Sequence, residues 1–559
     1  MRRRLVLAVA AAALVVTSVT ASTVAAAAAN RTPGRLGAAR DPSMPHSSRD
    51  VLVKLEPGAR AKDVLGPGAE WIFGRWYEVG VPASTGSLAR ARDVTSLEGV
   101  EVAELDYRAQ IDPTPSVPLA GATTQATPND PYFSYQWNFP AVQAPQAWDV
   151  TTGAGAVIAI VDTGVSQDGE DLDCHTLVSP FNAITDTAGS ALDDNGHGTH
   201  VAGTSAGCTN YGLGVAGIAS DANLIPVKVA NDQGSAAASD VAQGIQWATT
   251  HGADVINLSL GSECSQQWPQ CSASIEDDAI ATAVANGVVV VASSGNGGSG
   301  VVSTPANNPD VIAVGAVRYD LNRPSYSNGG SALDLVAPGG DLSVDQNQDG
   351  YGDGVLQETF ASQGWGYYFF NGTSMAAPHV TGAVALLRSA VPTASVAEIR
   401  AALESTALDL GAPGADPSFG NGLVQVRSAL SVLGAAGGEG GVTVSGRLSG
   451  AYDRRAHYRL FHVGDTVRYR GKLDPVTDGA MLAFELQRRL GSWTRVATTS
   501  LSVDGDGFAR LAMTARHSTF GDPDARLAVG ARYRIRAFIT DPGTGAVVSA
   551  DRIAFRITA

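Results

Sequence analysis

The chain has 559 residues, 44% of them hydrophobic, so it can bury sizeable cores, and its length predicts three or four structural units. Its net charge is −16, but the charge is uneven: residues 128–433 hold 30 Asp and Glu against 6 Lys and Arg, whereas residues 441–559 hold 11 against 18. The acidic centre argues against a nucleic-acid partner, and no internal stretch is long and apolar enough to serve as a transmembrane anchor.

Residues 1–29 have the pattern of a cleaved signal peptide. Arg2, Arg3 and Arg4 form a basic start, and an apolar run over residues 5–16 is followed by small residues. This pattern predicts a secreted, extracellular protein. The next segment, residues 30–49, is polar and contains Pro and Arg, which predicts disorder.

Residues 50–112 are predicted to form a small α+β unit. The stretch "VLVKLEPG" alternates like a strand that ends in a turn, and "VEVAELDYRAQI" is typical of a second strand. The stretch between them has helical spacing. Residues 113–127 are rich in Pro, Thr and Ala, which predicts a linker.

Strands and helices alternate over residues 128–433. Short, nearly continuous apolar runs such as "AVIAIVDTGV", "ANLIPVKVA" and "GVVVVASSG" are typical of strands buried on both faces. Helical stretches such as "SDVAQGIQWATTHG" lie between them. The alternation predicts an α/β domain in which helices cover a mostly parallel sheet, with its ligand site at the carboxyl ends of the strands.

The chain beyond residue 433 has a different pattern. Residues 434–441 are rich in Gly and Ala, which predicts a flexible hinge. Over residues 442–559, alternating stretches such as "AMLAFELQRR" and "ARYRIRAFIT" are separated by turn signals, which predicts an all-β sandwich. This domain contains no catalytic cluster, and its role is open.

The four cysteines favour disulfides, because their number is even and the chain is predicted to be exported. Four cysteines allow three pairings, and the sequence does not choose among them. A bond between Cys264 and Cys271 is the preferred one, since they flank a short loop. A metal site is the alternative, but the chain has no CxxC pair.

Three glycine-flanked motifs stand at the ends of predicted elements. Asp162 in "AIVDTGV" follows four apolar residues at the end of a core strand. His197 and His200 in "DNGHGTHVAG" precede a helix of small residues. Ser374 in "NGTSMAAPHVTGAVALL" precedes a long apolar helix.

An Asp, a His and a Ser together can perform nucleophilic catalysis. A serine hydroxyl is a poor nucleophile at neutral pH, so an imidazole must take its proton during attack. A buried carboxylate must orient that imidazole and stabilise its charged form. A serine at the start of a helix also lies near backbone N–H groups that can stabilise an oxyanion.

These motifs, in the order Asp, His, Ser, resemble the signatures of the subtilases, the subtilisin-like serine proteases. The resemblance covers about residues 128–433 and implies the three-layer subtilisin-like fold. It identifies Asp162 as the orienting carboxylate, His197 as the base and Ser374 as the nucleophile. His200 and His379 are then structural.

The same resemblance extends to the substrate site. Asn296 in "ASSGNGG" is similar to the oxyanion-hole asparagine of the family. Ser259, Leu260 and Gly261 resemble the strand that pairs with substrate backbone, so the implied substrate is an extended polypeptide. The implied activity is endopeptidase activity through an acyl-enzyme, and we expect a monomer.

Residues 50–112 resemble an inhibitor-type propeptide of the subtilases. The resemblance implies an intramolecular inhibitor that blocks the cleft until it is cut away, with the maturation site in the linker 113–127. The alternative is a permanent N-terminal domain.

A calcium site is predicted in the loop "DQNQDGYGD". Asp345, Asn347, Asp349 and Asp353 stand at alternate positions, with Gly350 for the turn, as in the first half of an EF-hand loop. The twelfth position is Leu356 rather than Glu, and Glu358 follows two residues later. The alternative is a solvated acidic loop.

Two other functions are compatible with parts of this pattern. The first is a non-catalytic surface protein on a degenerate protease scaffold, although the set of Asp162, His197, Asn296 and Ser374 is complete. The second is a processing enzyme with narrow specificity, for example for dibasic sites, with Glu263 and Glu276 as candidate acidic residues near the cleft.

Overall fold

The structure is a computed structural model that describes residues 34–37, 41, 43–111, 116–118, 128–266, 271–433 and the strands between residues 443 and 558. Two compact units divide the chain: residues 1–37 with 47–106, and residues 38–46 with 107–559. The predicted signal peptide 1–29, the hinge 434–441 and most of the linker 113–127 lie outside the described residues.

The first unit is a sheet with two short helices. The sheet order is β1-β5-β2-β4-β3, and Leu52, Leu55 and Trp76 are buried in its core. The elements are β1 (Arg35–Leu36), β2 (His46–Leu55), α1 (Ala61–Val64), β3 (Ala69–Phe73), β4 (Trp76–Gly80), α2 (Ser87–Thr95) and β5 (Val100–Gln110).

Part of the segment 30–49 that we predict to be disordered is strand. Arg35 and Leu36 form β1, which pairs in parallel with Val102 and Ala103 of β5, and β2 begins at His46. Polar composition predicts disorder because such residues bury little apolar surface by themselves, but pairing with an existing strand satisfies their backbone groups.

A largely parallel sheet forms the centre of the second unit, as predicted. Its order is β15-β14-β13-β12-β7-β10-β8-β9, and only the last pair, β8 with β9, is antiparallel. The strands of this unit are β6 (Ser116–Pro118), β7 (Val157–Asp162), β8 (Phe181–Asn182), β9 (Thr187–Ala188), β10 (Asn223–Lys228), β11 (Ser235–Ala237), β12 (Val255–Leu258), β13 (Val289–Ser293), β14 (Val311–Val317), β15 (Leu335–Pro338), β16 (Val355–Ala361) and β17 (Gly364–Phe370).

Helices cover both faces of this sheet. The helices of the second unit are α3 (Asn138–Ala141), α4 (Ala144–Ala147), α5 (His197–Ala206), α6 (Ala238–Thr250), α7 (Ser274–Ala285), α8 (Thr373–Ala390), α9 (Val396–Thr406) and α10 (Val426–Val432). Helix α5 lies against Asp162 through Gly198, whereas α6 lies against Val161 through Gly244. Neighbouring residues of a strand point to opposite faces, so the unit has three layers. Among the described residues, no helix combines the length and apolarity needed to cross a membrane.

A three-stranded antiparallel sheet lies beside the main one and was not predicted. Its order is β16-β17-β6, in which β16 and β17 form a hairpin between residues 355 and 370. Its outer strand is Ser116–Pro118, from the segment that we predict to be a linker. The hairpin ends just before the motif that contains Ser374.

The region after residue 441 is all strand among its described residues, which form two sheets of three and six strands. Phe484, Leu486 and Ile535 are fully buried, so one face of the larger sheet is covered. A sandwich of the two sheets stays a prediction. The strands are β18 (Thr443–Ser449), β19 (Asp453–Arg455), β20 (Tyr458–His462), β21 (Val467–Asp474), β22 (Met481–Leu490), β23 (Ser492–Ser502), β24 (Phe508–Met513), β25 (Arg532–Thr540) and β26 (Val547–Thr558).

All four cysteines are in disulfides. Cys264 pairs with Cys271, the preferred pairing, and Cys174 pairs with Cys208. The disulfides thus close loops with sequence separations of 7 and 34 residues.

Candidate active site

Asp162 and His197 form a buried hydrogen-bonded pair. Asp162 is the last residue of β7, and His197 is the first residue of α5; both are at most 2% exposed. His197 Nδ1 lies 2.8 Å from Asp162 Oδ1. Because an ionised carboxylate can only accept, Nδ1 carries the proton, and Nε2 is the ring nitrogen with the lone pair. This tautomer is the one that a general base requires.

Asp193 holds the loop before His197, a role that sequence analysis missed. Its Oδ1 accepts hydrogen bonds from the N–H of Gly196 and from Thr163 Oγ1, and its Oδ2 accepts from Thr199. Asp193 therefore ties the start of α5 to the residue after Asp162. Sequence motifs do not indicate this positioning role, because Asp193 and Asp194 are both acidic. Only the structure shows which of the two bonds the loop before His197.

Ser374 is the second residue of α8 and is 6% exposed. Its Oγ donates to the carbonyl of Ser259 at 3.2 Å, and Ser259 Oγ donates to the carbonyl of Ser374 at 2.8 Å. Asn257 continues this link, since its amide donates to Ser259 Oγ and its Oδ1 accepts from Thr381 of α8. The end of β12 and the first turns of α8 are therefore held together at the nucleophile.

Asn296 is oriented by the residue next to Ser374. Its Oδ1 accepts hydrogen bonds from the N–H and the Oγ1 of Thr373, both at 2.9 Å. Since the amide oxygen is held there, its Nδ2 donor is directed elsewhere, as an oxyanion donor must be. The structure thus brings Asn296 to the start of α8.

Glu263 holds the turn that contains Asn296. Its Oε1 accepts the N–H groups of Asn296 and Gly297 at 3.2 and 3.1 Å, and its Oε2 accepts from Asn328 Nδ2 at 2.8 Å. Glu276, the other acidic residue considered for basic specificity, is 2% exposed at the start of α7. Of these two acidic residues, only Glu263 therefore lies at the site.

A cavity of about 190 Å³ lies next to the candidate catalytic residues. Its lining includes Ser374, Asn296, Leu260, Gly261 and Glu263. The volume is sufficient for one substrate side chain next to the nucleophile. The three predicted substrate-strand residues, Ser259, Leu260 and Gly261, are therefore at the site, with Ser259 bonded directly to Ser374.

The chain's own residues 108–111 lie in this cleft as an extended strand. Gln110 donates its N–H to the carbonyl of Gly261 at 2.9 Å, and Ile111 donates to Gly234 at 2.8 Å. Residues 108–110 also pair antiparallel with β11. Backbone pairing on both sides is the mode by which an extended peptide binds to sheet edges.

His200 and His379 are buried next to the site but have structural partners. His200 Nε2 donates to the carbonyls of Val355 and Tyr368, and His379 is hydrogen-bonded to Asn138 and Met375. Burial lowers the pKa of His200 to about 3 and the pKa of His379 to about 4, so both are neutral at physiological pH.

In the predicted calcium loop, the side chains hold backbone N–H groups. Asp345 accepts from Asp349 and Gly350, and Asp353, which is 1% exposed, accepts from Gln346 and Asn347. All four predicted ligands offer oxygen atoms, which suits Ca²⁺. Burial, followed by the nearby Asp345 and Asp349, raises the pKa of Asp353, so a cation would be favourable there.

The loop is not a preassembled cage. A metal ion needs several ligand atoms close together. Among the described residues, only Cys174, His175 and Cys208 bring three His, Cys, Asp or Glu ligand atoms within 4.8 Å of one another. Cys174 and Cys208 are bonded to each other in a disulfide. Glu358 does not belong to the loop site, since its Oε2 accepts the N–H groups of Glu170 and Asp171.

Comparisons with known proteins identify the family of this chain. The subtilase family model matches residues 153–422. An alkaline protease of Alkalihalobacillus alcalophilus is 39% identical over 349 residues, which cover 59% of this chain and 83% of that protein. Subtilisin Savinase of Lederbergia lenta is 41% identical over 299 residues, covering 53% and 98%.

Among solved structures, a protease from Pseudoalteromonas arctica matches with a TM-score of 0.48 and 34% identity, covering 55% of this chain and all of that one. From the sequence relatives, the chain belongs to the subtilase family and is a serine endopeptidase.

Proposed function

We propose that Asp162, His197 and Ser374 are the catalytic triad of this endopeptidase and that it cleaves extended polypeptides. The observation that carries this proposal is the 2.8 Å bond between His197 Nδ1 and Asp162 Oδ1, together with a cavity whose wall contains Ser374 and Asn296. His197 Nε2 takes the proton of Ser374 Oγ as the oxygen attacks the peptide carbonyl, and Asp162 stabilises the resulting imidazolium.

The remaining steps follow from the same groups. The tetrahedral intermediate places a negative charge on the former carbonyl oxygen, and Asn296 Nδ2 donates a hydrogen bond to it. His197 then protonates the leaving amine, which leaves an acyl-enzyme on Ser374 that water hydrolyses by the same route. Before substrate binds, Ser374 Oγ donates to Ser259, so its hydroxyl must rotate toward the base.

The test is a Ser374→Ala variant assayed on casein and on a peptide substrate. In subtilisin, loss of the serine lowers kcat by about 10⁶-fold, and we expect a comparable loss here. Thr381→Ser, which retains the hydroxyl that bonds Asn257, is the folding control and retains activity. If Ser374→Ala cleaved at the wild-type rate, the triad proposal would be wrong.

We further propose that the enzyme is secreted through its predicted signal peptide and is made as a zymogen that processes itself. Support for the zymogen comes from residues 108–111, which pair in the cleft as a substrate would. The inhibitor is residues 50–112, and the cut falls in the linker 113–127. Wild-type protein should appear in the medium without these residues, whereas Ser374→Ala protein should keep them; mass spectrometry distinguishes the two.

We also propose that the loop containing Asp345, Asn347, Asp349 and Asp353 binds structural calcium. Its support is the all-oxygen donor set and the buried carboxylate of Asp353. The bound ion would neutralise the loop's charge and hold it against β16, which begins two residues later. We expect the mature enzyme to be a monomer.

A further inference from the structure

The six-stranded sheet after residue 441 has one covered face. Phe484 and Leu486 of β22 and Ile535 of β25 are fully buried, and Leu486 is paired with Ile535. Successive residues of a strand alternate between the two faces, and directly paired residues share a face. The three buried residues therefore lie on the same face, which is the core side of this sheet.

The opposite face is rich in arginine. In β25, Arg532, Arg534 and Arg536 alternate with the core residues, and β26 adds Arg556, paired with Arg532, and Arg552, paired with Arg536. These five residues, which we call the arginine face, therefore occupy neighbouring positions on the side of the sheet away from its core.

Solvent reaches this side of the sheet. Ala483 of β22 alternates with the buried Phe484, so it belongs to the same side as the arginine face. It is paired with Ser500 of β23, and Ser500 is exposed. The arginine face thus continues into a part of the sheet that is open to a ligand.

The charge on the arginine face is poorly balanced within the sheet. Two of its pairs, Arg532 with Arg556 and Arg536 with Arg552, place like charges at directly opposite positions, which destabilises a sheet. Among the residues that the described pairings place opposite these arginines, only Glu485, paired with Arg536, is acidic. Anionic groups from outside the chain would relieve this repulsion.

We propose that the arginine face binds an acidic polysaccharide, a linear polymer that carries sulfate or carboxylate groups. A guanidinium group has paired N–H donors that match two oxygens of such a group. Positions on one face recur at about 7 Å along a strand and about 5 Å between strands. This regular spacing suits a polymer whose charges also recur at regular intervals.

The residues between the arginines favour a polysaccharide over a single-stranded nucleic acid. Sheets that bind single-stranded nucleic acid use aromatic side chains on which the bases stack. The partners of Arg534 on its two neighbouring strands are Ala554 and Gln487, which have no aromatic ring. The arginine face therefore offers charge without a stacking platform at its centre.

Binding of this kind would hold the protease on an acidic matrix without occupying its active site. Residues 128–433 hold 30 Asp and Glu against 6 Lys and Arg, so an acidic polymer is repelled by the catalytic domain. The polymer therefore binds through the region after residue 441, and the cleft remains available to polypeptide substrate.

The experiment measures binding of the full chain with Ser374→Ala, which prevents self-digestion, to immobilised dextran sulfate, polygalacturonate and neutral dextran. We expect the acidic polymers to bind at about 50 mM salt and neutral dextran not to bind. The logarithm of the binding constant should fall linearly with the logarithm of the salt concentration, as counterions are released. Absence of binding to both acidic polymers would overturn the proposal.

An oligothymidine of the same total charge distinguishes the two classes of polyanion. We expect it to bind more weakly than dextran sulfate, because the central positions of the arginine face provide no ring for base stacking. Equal or tighter binding of the oligothymidine would overturn the polysaccharide assignment in favour of a nucleic acid.

A charge-matched pair of double variants locates the binding surface. Arg534→Gln with Arg536→Gln should weaken binding of dextran sulfate at least about tenfold and reduce the salt slope by about two, because two charge contacts are lost. Lys62→Gln with Arg92→Gln removes the same charge from exposed positions of the first unit and should bind as the parent does. An equal loss in both double variants would mean that binding follows net charge and would contradict the arginine face.

The melting temperature shows whether a loss of binding is merely a loss of folding. Removing Arg534 and Arg536 relieves repulsion between like charges, so this double variant should melt at or above the temperature of its parent. A lower melting temperature would show that these arginines stabilise the sheet themselves and would contradict the argument from repulsion.

Discussion

Glu263 lies in the cavity wall and bonds the turn that contains Asn296. From the sequence it is a candidate for recognising basic substrates, because it follows the substrate strand. In the structure its carboxylate also accepts three hydrogen bonds, two of them from the turn that contains Asn296. It is therefore a positioning residue for the proposed oxyanion donor as well as a charge in the cavity wall.

We expect Glu263→Ala to lower kcat more than it raises KM, because a misplaced Asn296 affects the transition state selectively. The reference is Asn296→Ala; in subtilisin, loss of this donor costs about 10²–10³-fold in kcat. Glu263→Gln, which keeps one acceptor oxygen for the turn, should be milder than Glu263→Ala. Steady-state kinetics on one peptide measures all three.

The same variants distinguish two roles of Glu263: positioning Asn296, and attracting a basic side chain of the substrate. If Glu263 acts only by attracting a basic side chain, Glu263→Gln and Glu263→Ala would lose Arg and Lys substrates equally and keep kcat on neutral ones. A kcat on neutral substrates equal to that of the wild type would therefore contradict the positioning role.

The strands and helices of the second unit could be predicted because buried strands are continuous apolar runs. The runs that end in Asp162 and precede Asn296 are examples, and the helix start at Ser374 is marked by glycine and threonine. The β16–β17 hairpin could not be predicted in this way. Its strands contain Gln357, Glu358 and Thr359, whose polar side chains are buried because they bond backbone groups distant in sequence.

The catalytic candidates could be predicted for a related reason. Asp162, His197 and Ser374 stand in short motifs whose glycines are required by the local backbone, such as Gly196 with a φ of +99°. Asp193 and Glu263 act through long-range contacts that leave no pattern in neighbouring residues. Motifs therefore indicate the reacting groups but not the residues that position them.

The two disulfides should differ in their contribution to stability. Loop closure predicts about 4 kcal/mol for the Cys174–Cys208 bond and about 2 kcal/mol for Cys264–Cys271, since the first closes the longer loop. Double alanine variants in the Ser374→Ala background, which prevents self-digestion, are compared by urea unfolding. A larger loss for the shorter loop would contradict the loop-closure argument.

The calcium loop should also contribute to stability. A chelator should lower the melting temperature of the wild type, because the carboxylates of Asp345, Asp349 and Asp353 would then repel one another. Asp345→Asn should reduce this shift, whereas Asp310→Asn, a surface carboxylate outside the loop, should leave it unchanged. An identical chelator shift in all three proteins would place the ion elsewhere, and no shift in any of them would remove the site.

Buried titratable groups make the stability of the folded chain depend on pH. The pKa values of His200 and His379 lie below the value of 6.5 of an exposed histidine, so the unfolded chain binds protons first as the pH falls. The free energy of unfolding therefore decreases from about pH 6.5 toward pH 4 through these groups. Burial raises the pKa of Asp130 to about 7 and that of Glu358, and these groups act in the opposite direction.

We test the histidine contribution with His379→Gln. Its loss of stability between pH 6.5 and 4.5 should be smaller than that of the wild type, because one buried proton acceptor is removed. His251→Gln, at an exposed position after α6, is the control and should follow the wild type. Urea unfolding at several pH values, in the Ser374→Ala background, measures the slopes; equal slopes for all three proteins would contradict the assignment.

The third strand on the hairpin has a consequence for the time course of activation. If the maturation cut falls between Ile111 and Ser116, residues 116–118 remain covalently joined to the catalytic domain through residue 128. Because this strand is tethered, it meets β17 at an effective concentration in the millimolar range and stays paired after the cut. The hairpin would then keep its third strand after the first cut and lose it only when the new N-terminus is trimmed, so the N-terminus would mature in two steps.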